Sequence, residues 1–104
     1  MKAAEFTRRR IRAEIESRGK QHRYKSALRQ LVHRVGAAIV VANHKVIGYR
    51  MTDGSVACLK RRYLTATDAE LDLSRIKAKA NHGHIPVRAY RCQWCAGFHL
   101  TSRA

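Results

Sequence analysis

At 104 residues, with one proline, six glycines and 45% hydrophobic content, the chain has the size of one compact domain; two would each be too small to bury a core. Its 22 Lys and Arg stand against 7 Asp and Glu, and this net charge of +15 excludes an ordinary neutral surface and argues against a small-molecule enzyme. The excess calls instead for a polyanionic partner: nucleic acid, a nucleoprotein particle or an acidic protein surface. No apolar run reaches the roughly 18 to 20 residues that cross a bilayer, and Met1 to Gly19 lacks the apolar centre of a secretory signal, so the expected location is the cytoplasm, with no membrane partner. Three cysteines suit that reducing compartment, where cysteines close in sequence are more often metal ligands or redox groups than disulfides.

In chain order, residues 1–35 hold the densest charge, eleven Lys or Arg against three Glu. Ala3 to Arg18 lacks proline and glycine and carries Arg10/Glu14, Arg12/Glu16 and Glu14/Arg18 four apart, each worth a few tenths of a kcal/mol to a helix. The apolar stripe of Ala4, Ile11 and Ile15 is thin and interrupted by Arg8, which predicts a basic arm over residues 1–19, loosely attached and ordered by a partner. Gly19 breaks it. The next helix has a firmer pattern, with Tyr24, Leu28, Leu31, Val32 and Val35 inside about 100° of arc, and Gly36 ends it.

Three β-branched runs follow, 38–41, 45–51 and 56–59. Asn43-His44 and Thr52-Asp53-Gly54-Ser55 separate them as turns, the second carrying the stronger signal because it has a glycine for positive φ. The expectation is a three-stranded antiparallel meander. Thr67 with Glu70 then reads as a capping box, with Asp68, Glu70 and Asp72 early and Arg75, Lys77 and Lys79 late in the helix, as the macrodipole favours. Ala69, Leu73, Ile76 and Ala80 form the buried stripe, Leu71 lies opposite, and Gly83 is a left-handed stop. Val87–Cys92 and Phe98–Ser102 are extended stretches on either side of a turn, a hairpin with cysteines at its tip.

The chemistry is concentrated in that tip. Cys92-Gln93-Trp94-Cys95 lets a tight turn aim two sulfurs at one ion, and His99, four residues on, can return to the same point. These are three ligands of a tetrahedral zinc site. The fourth is Cys58, the remaining cysteine, or in its place His82 or His84. A thioredoxin-like redox pair would use the same two cysteines but expects the first at a helix N-terminus, not between strands. Four protein ligands leave no open position for water or substrate, no carboxylate accompanies the motif, and no nucleophile signature is present, so the zinc is expected to be structural and the protein not an enzyme. His22, His33 and His44 show no ligand spacing.

Tyr90-Arg91-Cys92-Gln93-Trp94-Cys95-Ala96-Gly97-Phe98-His99-Leu100-Thr101-Ser102 resembles the tail of small zinc-ribbon-like proteins of actinobacteria and their phages, a tyrosine-x-cysteine-x-x-cysteine-x-glycine-tryptophan-histidine-leucine-threonine pattern, with Phe98 where tryptophan is usual. Cys58-Leu59-Lys60-Arg61-Arg62-Tyr63 and the following helix fit the segment that precedes it. The likeness covers residues 58–102. It implies Cys58, Cys92, Cys95 and His99 as ligands and a phage or actinobacterial origin, hence a host-cell cytoplasm if phage-encoded, and it carries no activity.

The expected fold class is α+β: N-terminal basic helices, a small antiparallel sheet, one further helix and a C-terminal zinc-knuckle hairpin. It forms one domain with an arm (1–19), a helix plus meander (20–57) and a zinc-ribbon-like half (58–104). Arg8, Arg9, Arg10 and Arg12, and Lys60, Arg61 and Arg62, are the two densest cationic runs and the candidate phosphate contacts. Trp94 and Phe98 either stack on bases or cover the metal site. The functional expectation is a non-enzymatic, zinc-stabilised protein binding DNA or RNA, with no small-molecule substrate. The alternative is a phage effector that docks on host RNA polymerase or the ribosome.

Overall fold

The computed structural model describes residues 1–79, 83 and 85–103. Ala80, Asn81, His82 and His84 lie outside the described residues, and with them the end of the third helix's stripe and the two alternative histidine ligands. The elements run α1 (Ala3–Glu16), α2 (Gln21–Val35), β1 (Ala38–Ala42), β2 (Lys45–Arg50), β3 (Val56–Cys58), α3 (Ala66–Lys79), β4 (Arg88–Arg91) and β5 (Phe98–Thr101). This is the α+β arrangement the patterning predicts, with one antiparallel sheet in the order β1-β2-β3 and a separate β4-β5 hairpin. The chain divides into two compact units, Met1–Leu59 and Lys60–Ala104. Among the described residues no helix is long and apolar enough to cross a membrane.

In the first unit, α1 does not use the face its isoleucines mark. Ile11 and Ile15 are 45% and 70% exposed and Ala4 is exposed, whereas Phe6 is fully buried. On the buried side Ala3, Arg10 and Ala13 are partly covered and Ser17 is buried, a 3-4-3-4 spacing that follows one helix face. Phe6 sets its ring 5.2 Å from that of Tyr49, in a core shared with Leu31, Met51 and Ala57. Burying a ring of this size is worth about 1.5–3 kcal/mol, so α1 is fastened where the isoleucine stripe suggests a loose arm. The ion pair that closes on α1 is Glu5–Arg9, at 3.1 Å. Among the described residues the expected Arg10/Glu14, Arg12/Glu16 and Glu14/Arg18 contacts do not form.

α2 buries the stripe read from its period: Leu31 is buried and Tyr24, Leu28, Val32 and Val35 are partly covered. It ends on Gly36 at φ 68°. The β1–β2 turn has two residues, because Ala42 pairs with Lys45, and both Asn43 and His44 take positive φ, 51° and 64°. A type I′ hairpin demands this of its central residues, and asparagine accepts it with little strain. The β2–β3 turn uses Gly54 at φ 89°. There the Asp53 carboxylate accepts from the Ser55 hydroxyl at 2.5 Å and the Ser55 backbone N–H at 2.9 Å, which hold its pKa below the usual carboxylate value. Gly48 pairs across the ladder with Cys58. A Cβ at Gly48 would lie 2.5 Å from the Ala57 carbonyl oxygen and 3.0 Å from the Cys58 Cα, so only glycine permits this spacing of β2 and β3.

In the second unit, α3 starts earlier than expected. Thr65, not Thr67, caps it: the Thr65 hydroxyl accepts the Asp68 N–H at 3.1 Å, and its carbonyl accepts the Ala69 N–H at 3.2 Å. Asp72 consequently falls in the second turn, where it takes hydrogen bonds from the Tyr63 hydroxyl and Arg75 and lies 3.6 Å from Arg61. Tyr63 first and Arg75 next hold the Asp72 carboxyl below its ordinary pKa. Ala69 and Leu73 are buried, Ile76 is half-buried, and Leu71, on the far side, is 66% exposed. This face packs on β4 and β5. Gly83 takes a φ of 94°, but the residues between it and Lys79 lie outside the described ones, and the expected stop with them.

Candidate metal centre

The donor atoms of Cys58, Cys92, Cys95 and His99 all lie within 4.8 Å of one another. A tetrahedral ion with metal–sulfur bonds near 2.3 Å sets its ligands roughly 3.8 Å apart, so the cluster can hold a metal ion, and three sulfurs with one imidazole form a set that suits Zn²⁺. Cys58 ends β3, two residues before the chain enters the second unit. The other three come from the β4–β5 hairpin. The Cys92 N–H bonds to the Gly97 carbonyl at 2.8 Å, and the Trp94 N–H points at the Cys92 sulfur at 3.3 Å. The turn that presents both sulfurs is therefore closed by the backbone itself, and an amide dipole faces the Cys92 sulfur. Ala96 takes a left-handed φ of 60° to complete it, a conformation that costs a non-glycine residue about 1–2 kcal/mol.

His99 is the most constrained of the four donors. It is 1% exposed, and its Nδ1 lies 2.7 Å from the Arg61 carbonyl oxygen. A carbonyl can only accept, so Nδ1 carries a proton, and in a neutral imidazole the lone pair is then on Nε2, 3.4 Å from the Cys95 sulfur. Fixing the remote nitrogen in this way sets both tautomer and ring angle for a metal-binding imidazole. The carbonyl is brought there by a two-way backbone bridge, Tyr63 N–H to Phe98 carbonyl at 2.8 Å and Phe98 N–H to Tyr63 carbonyl at 2.9 Å, which lays residues 61–63 along β5. Sequence reasoning missed this partner because a main-chain oxygen leaves no mark on residue identity.

A helix N-terminus for Cys92, as a thioredoxin-like pair would need, is not found: the two cysteines sit in the turn between β4 and β5. Trp94 and Phe98 are half-buried at the hairpin.

The Lys60-Arg61-Arg62 run lies beside this centre, and each side chain is engaged within its own unit. Lys60 Nζ is 3.5 Å from both the Tyr90 hydroxyl and the Leu100 carbonyl, and 5.4 Å from the Tyr90 ring centroid. Arg61 lies over the Tyr63 ring at 5.1 Å. Arg62 donates from Nε to the Cys95 carbonyl at 3.3 Å and crosses Gly97, where a Cβ would meet it at 2.5 Å. Three thiolates, a neutral imidazole and a divalent ion together would carry one net negative charge, which cations placed here would offset. On α1, Arg8, Arg9 and Arg12 are exposed and Arg10 partly covered, with Arg9 tied to Glu5.

No protein-family model, curated protein or solved structure matches this chain. What it does is therefore read from these side chains and their charges.

Proposed function

We propose that this chain is a non-enzymatic, zinc-stabilised nucleic-acid-binding protein, encoded by a phage or an actinobacterium, that grips its partner mainly through phosphate contacts in the cytoplasm. The zinc is structural in this reading, since Cys58, Cys92, Cys95 and His99 would fill all four positions of a tetrahedral ion. The observation that carries the proposal is the unneutralised charge. The chain has a net +15, and among the described residues its ion pairs involve only Glu5 and Asp72 on the acidic side. Solubility asks for a magnitude of only about 2–8 in a small domain.

The test is fluorescence anisotropy of labelled duplex DNA and structured RNA with the zinc-loaded protein. If roughly 6–8 phosphates are neutralised, affinity falls by about three to four decades between 50 and 200 mM salt. Absence of binding, or binding indifferent to salt, refutes the reading. One observation favours a second reading, a docking surface for a host protein machine such as RNA polymerase or the ribosome: Ile39 and Val41 on edge strand β1 are 58% and 57% exposed, and Val46 opposite Val41 is 41% exposed. A pull-down that survives nuclease treatment distinguishes it.

A further inference from the structure

The fold redistributes charge relative to the linear runs. α1 carries Arg8, Arg9, Arg10 and Arg12 but also Glu5, Glu14 and Glu16, so its helical charges nearly cancel. α2 carries Arg23, Lys25, Arg29 and Arg34 and no acidic residue. All four are exposed, and among the described residues none has an ion-pair or hydrogen-bond partner. The most concentrated free positive charge on any element is therefore on α2, a segment with no conspicuous basic run.

The arrangement of those charges is specific. At about 100° per residue, Lys25 and Arg29 form one row beside the buried stripe, and Arg23 and Arg34, three turns apart, form a second row roughly 140–160° around the helix. Between them Ser26, Gln30 and His33, at i, i+4 and i+7, make a polar ridge, and all three are exposed. We infer that α2 is a groove-reading helix for duplex DNA: the ridge enters the major groove while the two cationic rows face the phosphodiester strands on either side. The inference rests on the nucleic-acid reading above and goes beyond it by naming the element, the partner and the groove.

Dimensions and chemistry agree with that partner. A 15-residue helix is about 22 Å long and 10–12 Å across, and the B-form major groove is about 12 Å wide. The hydroxyl, amide and imidazole of the ridge are groups that donate to and accept from base edges, glutamine reading adenine in particular. A-form RNA offers no such entry, because its major groove is too narrow and deep for side chains to read. The opposite face of α2 is occupied by the core through Leu31 and its neighbours, so the helix is held rigidly while presenting the ridge.

The test uses the zinc-loaded full chain, a mixed-sequence 20-bp duplex DNA and the matching duplex RNA. The double variant Arg29→Gln/Arg34→Gln is compared with Lys45→Gln/Arg50→Gln, which removes the same charge from exposed positions on β2. The α2 variant is expected to reduce the slope of log affinity against log salt by about 1.8, at roughly 0.9 for each lost phosphate contact, and the β2 variant to reduce it by much less. Dimethyl sulfate footprinting should show guanine N7, a major-groove atom, protected by the parent protein. Circular dichroism confirms that both variants fold. Equal slope changes in the two variants, unprotected N7, or equal affinity for duplex RNA each overturn the α2 assignment while leaving the general nucleic-acid reading standing. Failure to bind either duplex overturns that reading itself.

Discussion

Removing the metal should separate the two units in a single spectroscopic measurement. Among the described residues, Lys60–Ala104 buries Tyr63, Ala69 and Leu73 beside the ligands Cys92 and His99. Large apolar side chains contribute about 1.5–3 kcal/mol each on burial, far less than the entropy of ordering such a segment, whereas a structural zinc site contributes roughly 10–16 kcal/mol. Met1–Leu59 has its own core of Phe6, Leu31, Tyr49, Met51 and Ala57. A chelator at neutral pH should therefore melt α3 and leave α1 and α2 helical. These helices hold 14, 15 and 14 residues in chain order, so ellipticity at 222 nm should fall by about a third and recover when zinc is restored. An unchanged spectrum would show that the hairpin and α3 stand without metal; collapse of the whole signal would show that the first unit depends on it too. Either result refutes the reasoning.

Two further outcomes follow from single side chains. Gly48→Ala forces its new methyl against the Ala57 carbonyl and the Cys58 backbone. It should destabilise the protein by about 1–3 kcal/mol and weaken zinc in a chelator competition, and a variant unchanged in both would disprove the close approach. Asp53 has a depressed pKa, so its contribution is fully present above the unfolded carboxylate value, about 3.9, and is lost as pH falls through the lower folded value. In metal-free protein the α1–α2 helical signal should thus be less sensitive to acid below about pH 4 in Asp53→Asn than in the parent, as followed by circular dichroism.

The parts of this fold that could be read in the sequence are those where one signal dominates. α2 has a clean apolar period, the meander has β-branched runs between turn residues, and Cys92-x-x-Cys95 with His99 allows few chemistries. The start of α3 was harder because two threonines, Thr65 and Thr67, each precede an acid by three residues, and local pattern does not choose between them. Phe6 was invisible for a different reason. Its stripe is completed by small or polar residues, Ala3, Arg10, Ala13 and Ser17, while the louder isoleucines of α1 point outward. Charge is a different case, since counting along the chain finds runs, whereas surface potential depends on which carboxylates the fold brings alongside.

The main-chain acceptor that orients His99 has an evolutionary consequence. Because the Arg61 oxygen belongs to the backbone, any residue able to follow the same path would serve the imidazole equally well. As far as the imidazole is concerned, position 61 can change its side-chain chemistry: a descendant that exchanged the guanidinium would give up its place over Tyr63 and beside Asp72, retuning what its surface attracts, yet keep the acceptor that holds His99.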